Sequence, residues 1–197
     1  QGMGLLLHGM GGVAANCKVH DCQSNGILVT GNSTIVEDCE EYRACLMNEG
    51  GNSPTWPSGL TAARYPSNVI LRRNIVHDNW GEGLSAYEAD HITLEDNISY
   101  ANWTANIYIS NAAYVNVLRN FVYQGRSSPV YTAGNGSYVG IMFGDELEPP
   151  AIQLGHVVVD SNIVTGCRRN IYWWGGGSHV MNDFQITNNT FFHAEET

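Results

Sequence analysis

Gly59-Leu60-Thr61-Ala62-Ala63-Arg64, followed by Asn68-Val69-Ile70-Leu71-Arg72-Arg73-Asn74, is the first of three passes through one pattern. The second pass reads Gly83-Leu84-Ser85-Ala86-Tyr87-Glu88, then His91-Ile92-Thr93-Leu94-Glu95-Asp96-Asn97. The third reads Asn106-Ile107-Tyr108-Ile109-Ser110-Asn111, then Val115-Asn116-Val117-Leu118-Arg119-Asn120. The closing asparagines stand at 74, 97 and 120, two intervals of 23 residues. A fixed period in the low twenties built from short alternating apolar runs signifies a solenoid. The runs are strand-length, with no helical pattern between them, so the solenoid is all-β.

The pattern extends both ways. Cys17 through Ile27 aligns with Asn74 through Leu84, and half-passes begin at Gly4 and Gly26. Downstream, Gly140-Ile141-Met142-Phe143-Gly144 closes at Asn162, and Asn170-Ile171-Tyr172-Trp173-Trp174 closes at Asn189. About seven coils of three short strands result, in a single domain over residues 1–197, expected to be excised from a longer protein. Period-two alternation points Leu84 and Ala86 inward, together with Ile107 and Ile109, Ile141 and Phe143, Ile171 and Trp173. Stacked strands then bring Asn74, Asn97, Asn120, Asn162 and Asn189 into a hydrogen-bonded ladder, at a turn position wanting left-handed tolerance. Three insertions, 46–58, 124–139 and 145–153, interrupt the period as loops carried on the scaffold.

With 197 residues, 43% of them hydrophobic, the chain can bury a sizeable core. Its net charge is −10 and Lys18 is its only lysine. That balance disfavours nucleic acid and anionic membranes as partners. No apolar run reaches membrane-spanning length. A neutral polymer or a divalent cation remains compatible.

The repeated Gly-Ile/Leu…Val-x-Ile-x-x-Asn-x-Ile…Asn pattern resembles the right-handed parallel β-helix repeat proteins, the broad group that includes pectate-lyase-like domains. The resemblance covers nearly the whole chain. It implies a single-stranded right-handed parallel β-helix. Relatives of that kind include polysaccharide lyases, polygalacturonases, uronan epimerases, phage tailspikes and carbohydrate-binding modules of glycanases, which handle long sugar chains along the helix axis. Fold alone does not select among them.

The resemblance directs attention to the outward positions of the first strand: Leu6/His8, Leu28/Thr30, Thr61/Ala63, Ser85/Tyr87, Tyr108/Ser110, Met142/Gly144 and Tyr172/Trp174. Aromatic faces pack on the C–H faces of sugars while hydroxyls find polar neighbours. Tyr87, Tyr108, Tyr172 and Trp174 are therefore the candidate ligand residues, joined by Trp103 and Glu88. Trp80 and Trp103 each follow a closing Asn by six residues and should stack. Carboxylates gather after the first strand: Glu88 and Asp90, then Asp145, Glu146 and Glu148. Glu88 and Asp145 lie two passes apart, roughly 9–10 Å at the sheet spacing. That is near the upper end for an inverting acid/base pair. The same group of Glu88, Asp145 and Glu146 could hold calcium, or simply face water. Lyases and epimerases of uronic acids need a cation beside the substrate carboxylate. The first-strand face offers only Arg64, at its edge, and the Asn-Thr-Asp and Gly-His-Gly motifs of polygalacturonases are absent.

Seven histidines show no metal-ligand spacing; His20 and His77 share a repeat position with Tyr100 and Tyr123, which predicts ring stacking. Five cysteines are an odd number. Cys17 and Cys39 fall at the Asn position of successive passes, with Cys22 and Cys45 nearly in register, so disulfides and a buried thiol stack both remain open. The leading expectation is a non-catalytic carbohydrate-binding domain for a neutral plant polysaccharide, xylan or a related β-glycan. The alternatives are a polysaccharide lyase, epimerase or glycoside hydrolase using Glu88, Asp145 and Glu146, and a structural or adhesive solenoid. No cofactor is required unless calcium binds. The expected partners are a polysaccharide and the other domains of a parent protein, in a secreted or cell-surface setting of bacterial type.

Overall fold

The structure is a computed structural model that describes residues 2–53, 55–132, 134, 136–147, 151–174 and 182–195. Seven coils stack along one axis. Coil one contributes Leu5–Leu7, Val13–Ala15 and Lys18–His20, one strand to each of three walls. Coil seven contributes Arg169–Trp174, Asn182–Thr187 and Thr190–Phe192. In coils four and five the first two walls are one continuous strand each, Glu82–Glu95 and Ala105–Leu118. Neighbouring coils pair in parallel and in register: Leu84 opposes Leu60 on one side and Ile107 on the other. The chain is a parallel β-helix.

The inward residues of the first wall form an aliphatic file, Ile27–Leu60–Leu84–Ile107–Ile141, in which every member is fully buried. Each such side chain contributes about 1.5–3 kcal/mol by leaving water. Ile171 continues the file and Trp173 the neighbouring inward file after Phe143, both partly buried in the last coil. The expected alternation therefore holds along the whole sheet.

The asparagine ladder forms as expected. Asn97 Oδ1 accepts the backbone N–H of Asn74 at 2.9 Å, and Asn120 Oδ1 accepts that of Asn97 at 3.0 Å. Asn162 and Asn189 continue the series. The left-handed residue is not the asparagine, however, but the one before it. Asn16, Asp38, Arg73, Asp96, Arg119, Ser161 and Asn188 all have φ between 52° and 57°. That residue turns the chain, which leaves the following amide facing the interior where its partners are. At the first coils the ladder passes into sulfur: the Cys39 N–H donates to Asn74 Oδ1, and the Cys17 N–H to Cys39 Sγ at 3.4 Å. All five cysteines are free thiols, so the thiol stack, not the disulfide, is the arrangement present.

The predicted ring file also forms. His20, Tyr42, His77, Tyr100 and Tyr123 stack with centroids 4.6–5.1 Å apart. Two inward positions break the apolar rule, Ser99 with a hydroxyl and Glu41 with a carboxyl. The third-wall file reads Val19, Glu41, Val76, Ser99, Val122, Val164, and Glu41 is fully buried within it. Asn79 Nδ2 donates to its carboxyl at 2.8 Å, and Gly59 leaves room where a Cβ would collide with it. Burial pushes the Glu41 carboxyl up to about 8.

Candidate functional site

Register carries the outward side chains of the first wall into three files parallel to the axis. The middle file is Leu28–Thr61–Ser85–Tyr108–Met142–Tyr172. Beside it runs Ala63–Tyr87–Ser110–Gly144–Trp174. The third file pairs Ser58 with Glu82 and, further along, Ala105 with Val139 and Arg169. Together they floor a groove of about 840 Å³. Its walls come from the insertions, with Met47, Thr55, Trp56 and Pro57 on one side and Ser137 and Glu146 on others.

Four of the expected ligand residues, Tyr87, Tyr108, Tyr172 and Trp174, line this groove together, and Glu88 sits at its rim. Trp174 is half-exposed, at 50%. Tyr108 is only 6% exposed and forms part of the floor. Its ring lies over Gly144, where any Cβ would meet the phenol oxygen. The Tyr108 hydroxyl donates to Glu146 Oε1 at 2.6 Å. Burial, then this hydrogen bond, holds the phenol far above its ordinary range. Tyr65 donates to Glu88 Oε1 at 2.6 Å across the rim.

Trp103 is not in the groove. It does stack on Trp80, with centroids 5.0 Å apart, but both are buried with Cys45, Val130 and Tyr138. The two insertions cover them: Gly51 lies against the Trp103 ring edge, and Tyr138 packs edge-on at 5.9 Å. Their role is to anchor these loops. Asp145 is likewise turned away, 2% exposed, with its Oδ1 taking Asn111 Nδ2 at 2.8 Å. Of the trio Glu88, Asp145 and Glu146, the groove thus brings together Glu88 and Glu146 and leaves Asp145 buried outside it. Among the described residues no three His, Cys, Asp or Glu side chains form a metal-binding group. Glu148 lies outside the described residues.

Three groove residues escape the sequence reading. Trp56, half-exposed, reaches the groove from the first insertion. Arg169 extends the last first-wall strand, its guanidinium 4.5 Å from the Tyr172 ring centroid. The face is therefore not limited to Arg64 for positive charge. Glu82 begins the coil-four strand and is 7% exposed on the groove floor. Ser58 Oγ donates to its Oε2 at 3.1 Å, within a chain of hydroxyls that includes Ser85 and Thr61. Burial lifts Glu82 to about 7, against the pull of these hydrogen bonds. Its strand-start position could have been read from the Gly83 register, but other coils place Ser, Ala, Val or Arg there, so no period marks it.

The comparisons with known proteins bear on this groove through the fold. The family model described as a right handed beta helix region matches residues 3–191. The chain belongs to the right-handed β-helix family. Among solved structures it is similar to the A-module of the Azotobacter vinelandii mannuronan C-5 epimerase AlgE4, at TM-score 0.62 and 16% identity, covering 98% of this chain and 56% of that one. It is similar to the periplasmic alginate epimerase AlgG, at TM-score 0.69 and 12% identity, covering 95% and 42% respectively. It is also similar to the Dettilon tailspike protein, at TM-score 0.52 and 14% identity, covering 87% and 43%. This β-helix chain thus spans about half the length of these structures, and the likeness is one of fold. No curated protein matches the chain by sequence.

Proposed function

We propose that the groove binds a neutral polysaccharide, xylan or a related β-glycan, with its chain running along the β-helix axis. The arrangement of exposed rings in axial files carries this reading. Trp56 beside coil three and Trp174 in coil seven bracket the groove, four coil steps or roughly 19 Å apart at the sheet spacing. Tyr87 in coil four lies between them and Tyr172 shares the coil-seven strand with Trp174, while Ser58, Thr61, Ser85 and three glutamates supply acceptors for sugar hydroxyls. A site of this kind fits an extracellular or periplasmic setting, and no helix among the described residues is long and apolar enough to cross a membrane.

Arg64 and Arg169 favour a second reading, an acidic glycan of the uronate type. Glu88 at the rim and Glu146 in the wall stand in the coils between them and oppose it. Affinity gel electrophoresis tests the reading on birchwood xylan, barley β-glucan, konjac glucomannan, alginate and polygalacturonate. Retardation by a neutral polysaccharide, lost in the Tyr172→Ala/Trp174→Ala double variant, is the expected result. Retardation by alginate or polygalacturonate alone would replace it with the second reading.

A further inference from the structure

We propose that Glu82 is the proton donor of a glycoside hydrolysis carried out in this groove, with Glu146 as the base that activates water. The proposal rests on the reading of the groove as a glycan site and adds chemistry to it. Glu82 and Glu146 line the same cavity, and the ring of Tyr108 and the hydroxyl of Ser85 lie in the middle file of its floor. Glu82 enters from the strand start, Glu146 from beyond the strand end. A sugar ring resting on Tyr108 would meet both.

Their environments differ in the way two-carboxylate hydrolysis requires. Glu82 is desolvated and held by a neutral hydroxyl, Ser58, and its carboxyl keeps its proton up to about pH 7 because burial disfavours the anion. The charge of Glu146 pushes it in the same direction. Glu146 instead accepts the short bond from Tyr108, a donor that fixes the orientation of its carboxyl towards the groove floor. The Thr104 side chain, nine-tenths buried in the same groove, stands beside the Glu82 carboxyl and, like Ser58, hydrogen-bonds to it.

The step balances with water as the only co-reactant. Glu82 gives its proton to the glycosidic oxygen as the bond from that oxygen to the anomeric carbon breaks. Glu146 takes a proton from the water whose oxygen bonds to that carbon. The two carboxyls then return to their starting states by proton exchange with solvent. Elimination or epimerisation is a poorer fit. Either needs a cation beside the reacting sugar's carboxylate. The arginine of the Glu82 file, Arg169, stands three coils away, roughly 14 Å, and Arg64 follows the opposite end of the neighbouring strand from Ser58, the register partner of Glu82.

The experiment incubates the protein with each polysaccharide that it retards and measures both reducing ends and the absorbance of unsaturated products. Reducing ends without unsaturated product are expected, with an alkaline limb near pH 7. Glu82→Gln should keep retardation and lower the rate about 100-fold or more. It should recover most of its rate on 2,4-dinitrophenyl glycosides, whose leaving group needs no proton, while Glu146→Gln should lose both activities. Should Glu82→Gln fail to fold by circular dichroism, the wild-type pH profile decides. The alkaline limb should be present on the polysaccharide and absent on the dinitrophenyl glycoside, and the same limb on both overturns the assignment. Retardation without any product overturns the hydrolysis and leaves the binding reading standing. Unsaturated product also overturns it. Absence of retardation by any glycan removes both.

Discussion

Asn97 Oδ1 accepts two bonds from Asn74 one coil earlier, from its backbone N–H at 2.9 Å and from its side-chain amide at 3.1 Å. Its own Nδ2 donates to the Leu71 carbonyl at 2.9 Å. With 1% exposure at Asn97, no water replaces these partners. Asn97→Ala should therefore strand one buried donor and one buried acceptor at about 1–3 kcal/mol each. Urea denaturation should show a loss of about 3 kcal/mol or more. Asn189, at the half-exposed end of the same ladder, should cost clearly less when changed in the same way.

The ladder was legible because identical side chains recur 23 residues apart, and identity at a fixed period is what stacking produces. The same logic found the His20–Tyr123 ring file. It missed a second amide ladder, Ala44–Asn79–Asn102–Asn106, because the last step links Asn102 to Asn106 within one turn and breaks the period. It missed Glu82 and Trp56 for related reasons. A residue that occurs once carries no periodic signal, and where an insertion lays Trp56 is decided by packing beyond the repeat. Trp80 and Trp103 were correctly stacked but wrongly faced, since the same insertions that wall the groove bury them.

Glu41 makes stability depend on pH in a defined direction. Its folded carboxyl titrates at about 8, above the ordinary 4.5. Between those values the unfolded chain has lost a proton that the folded chain keeps. Its contribution is complete below pH 4.5 and is lost as pH rises through 8, at up to about 1.4 kcal/mol per pH unit. Glu82, raised to about 7, adds in the same sense up to that pH. Melting temperatures followed from pH 5 to 8.5 should fall. Glu41→Gln, neutral throughout, should flatten the slope and melt higher than the wild type at pH 8.

Trp103 and Trp174 should behave oppositely when cut to alanine. Trp103 is buried beneath both insertions, so Trp103→Ala should cost about 3–5 kcal/mol of stability. Trp174, half in solvent, should cost little stability. Its loss should instead weaken glycan retardation about tenfold, equivalent to about 1.4 kcal/mol. A stable Trp103→Ala with weakened binding would place the glycan on the other side of the first insertion.

Salt distinguishes the neutral ligand from the acidic one without any variant. The groove carries Glu82 on its floor, Glu146 in its wall and Glu88 at its rim, with Arg64 and Arg169 as its cations. A neutral glycan meets them through hydrogen bonds and ring contacts, and screening leaves those intact. An acidic glycan would depend on the two arginines, whose attraction is largely screened beyond a Debye length of about 10 Å at 0.1 M salt. Retardation by xylan or β-glucan should therefore be unchanged from about 0.05 to about 0.5 M sodium chloride. Arg64→Ala with Arg169→Ala should leave the neutral interaction within about threefold, apart from whatever Arg169 contributes by holding the Tyr172 ring. A steep fall of retardation with salt, matched by loss in the double arginine variant, would mean that the arginines select the ligand and that the three glutamates are spaced to let its carboxylates pass.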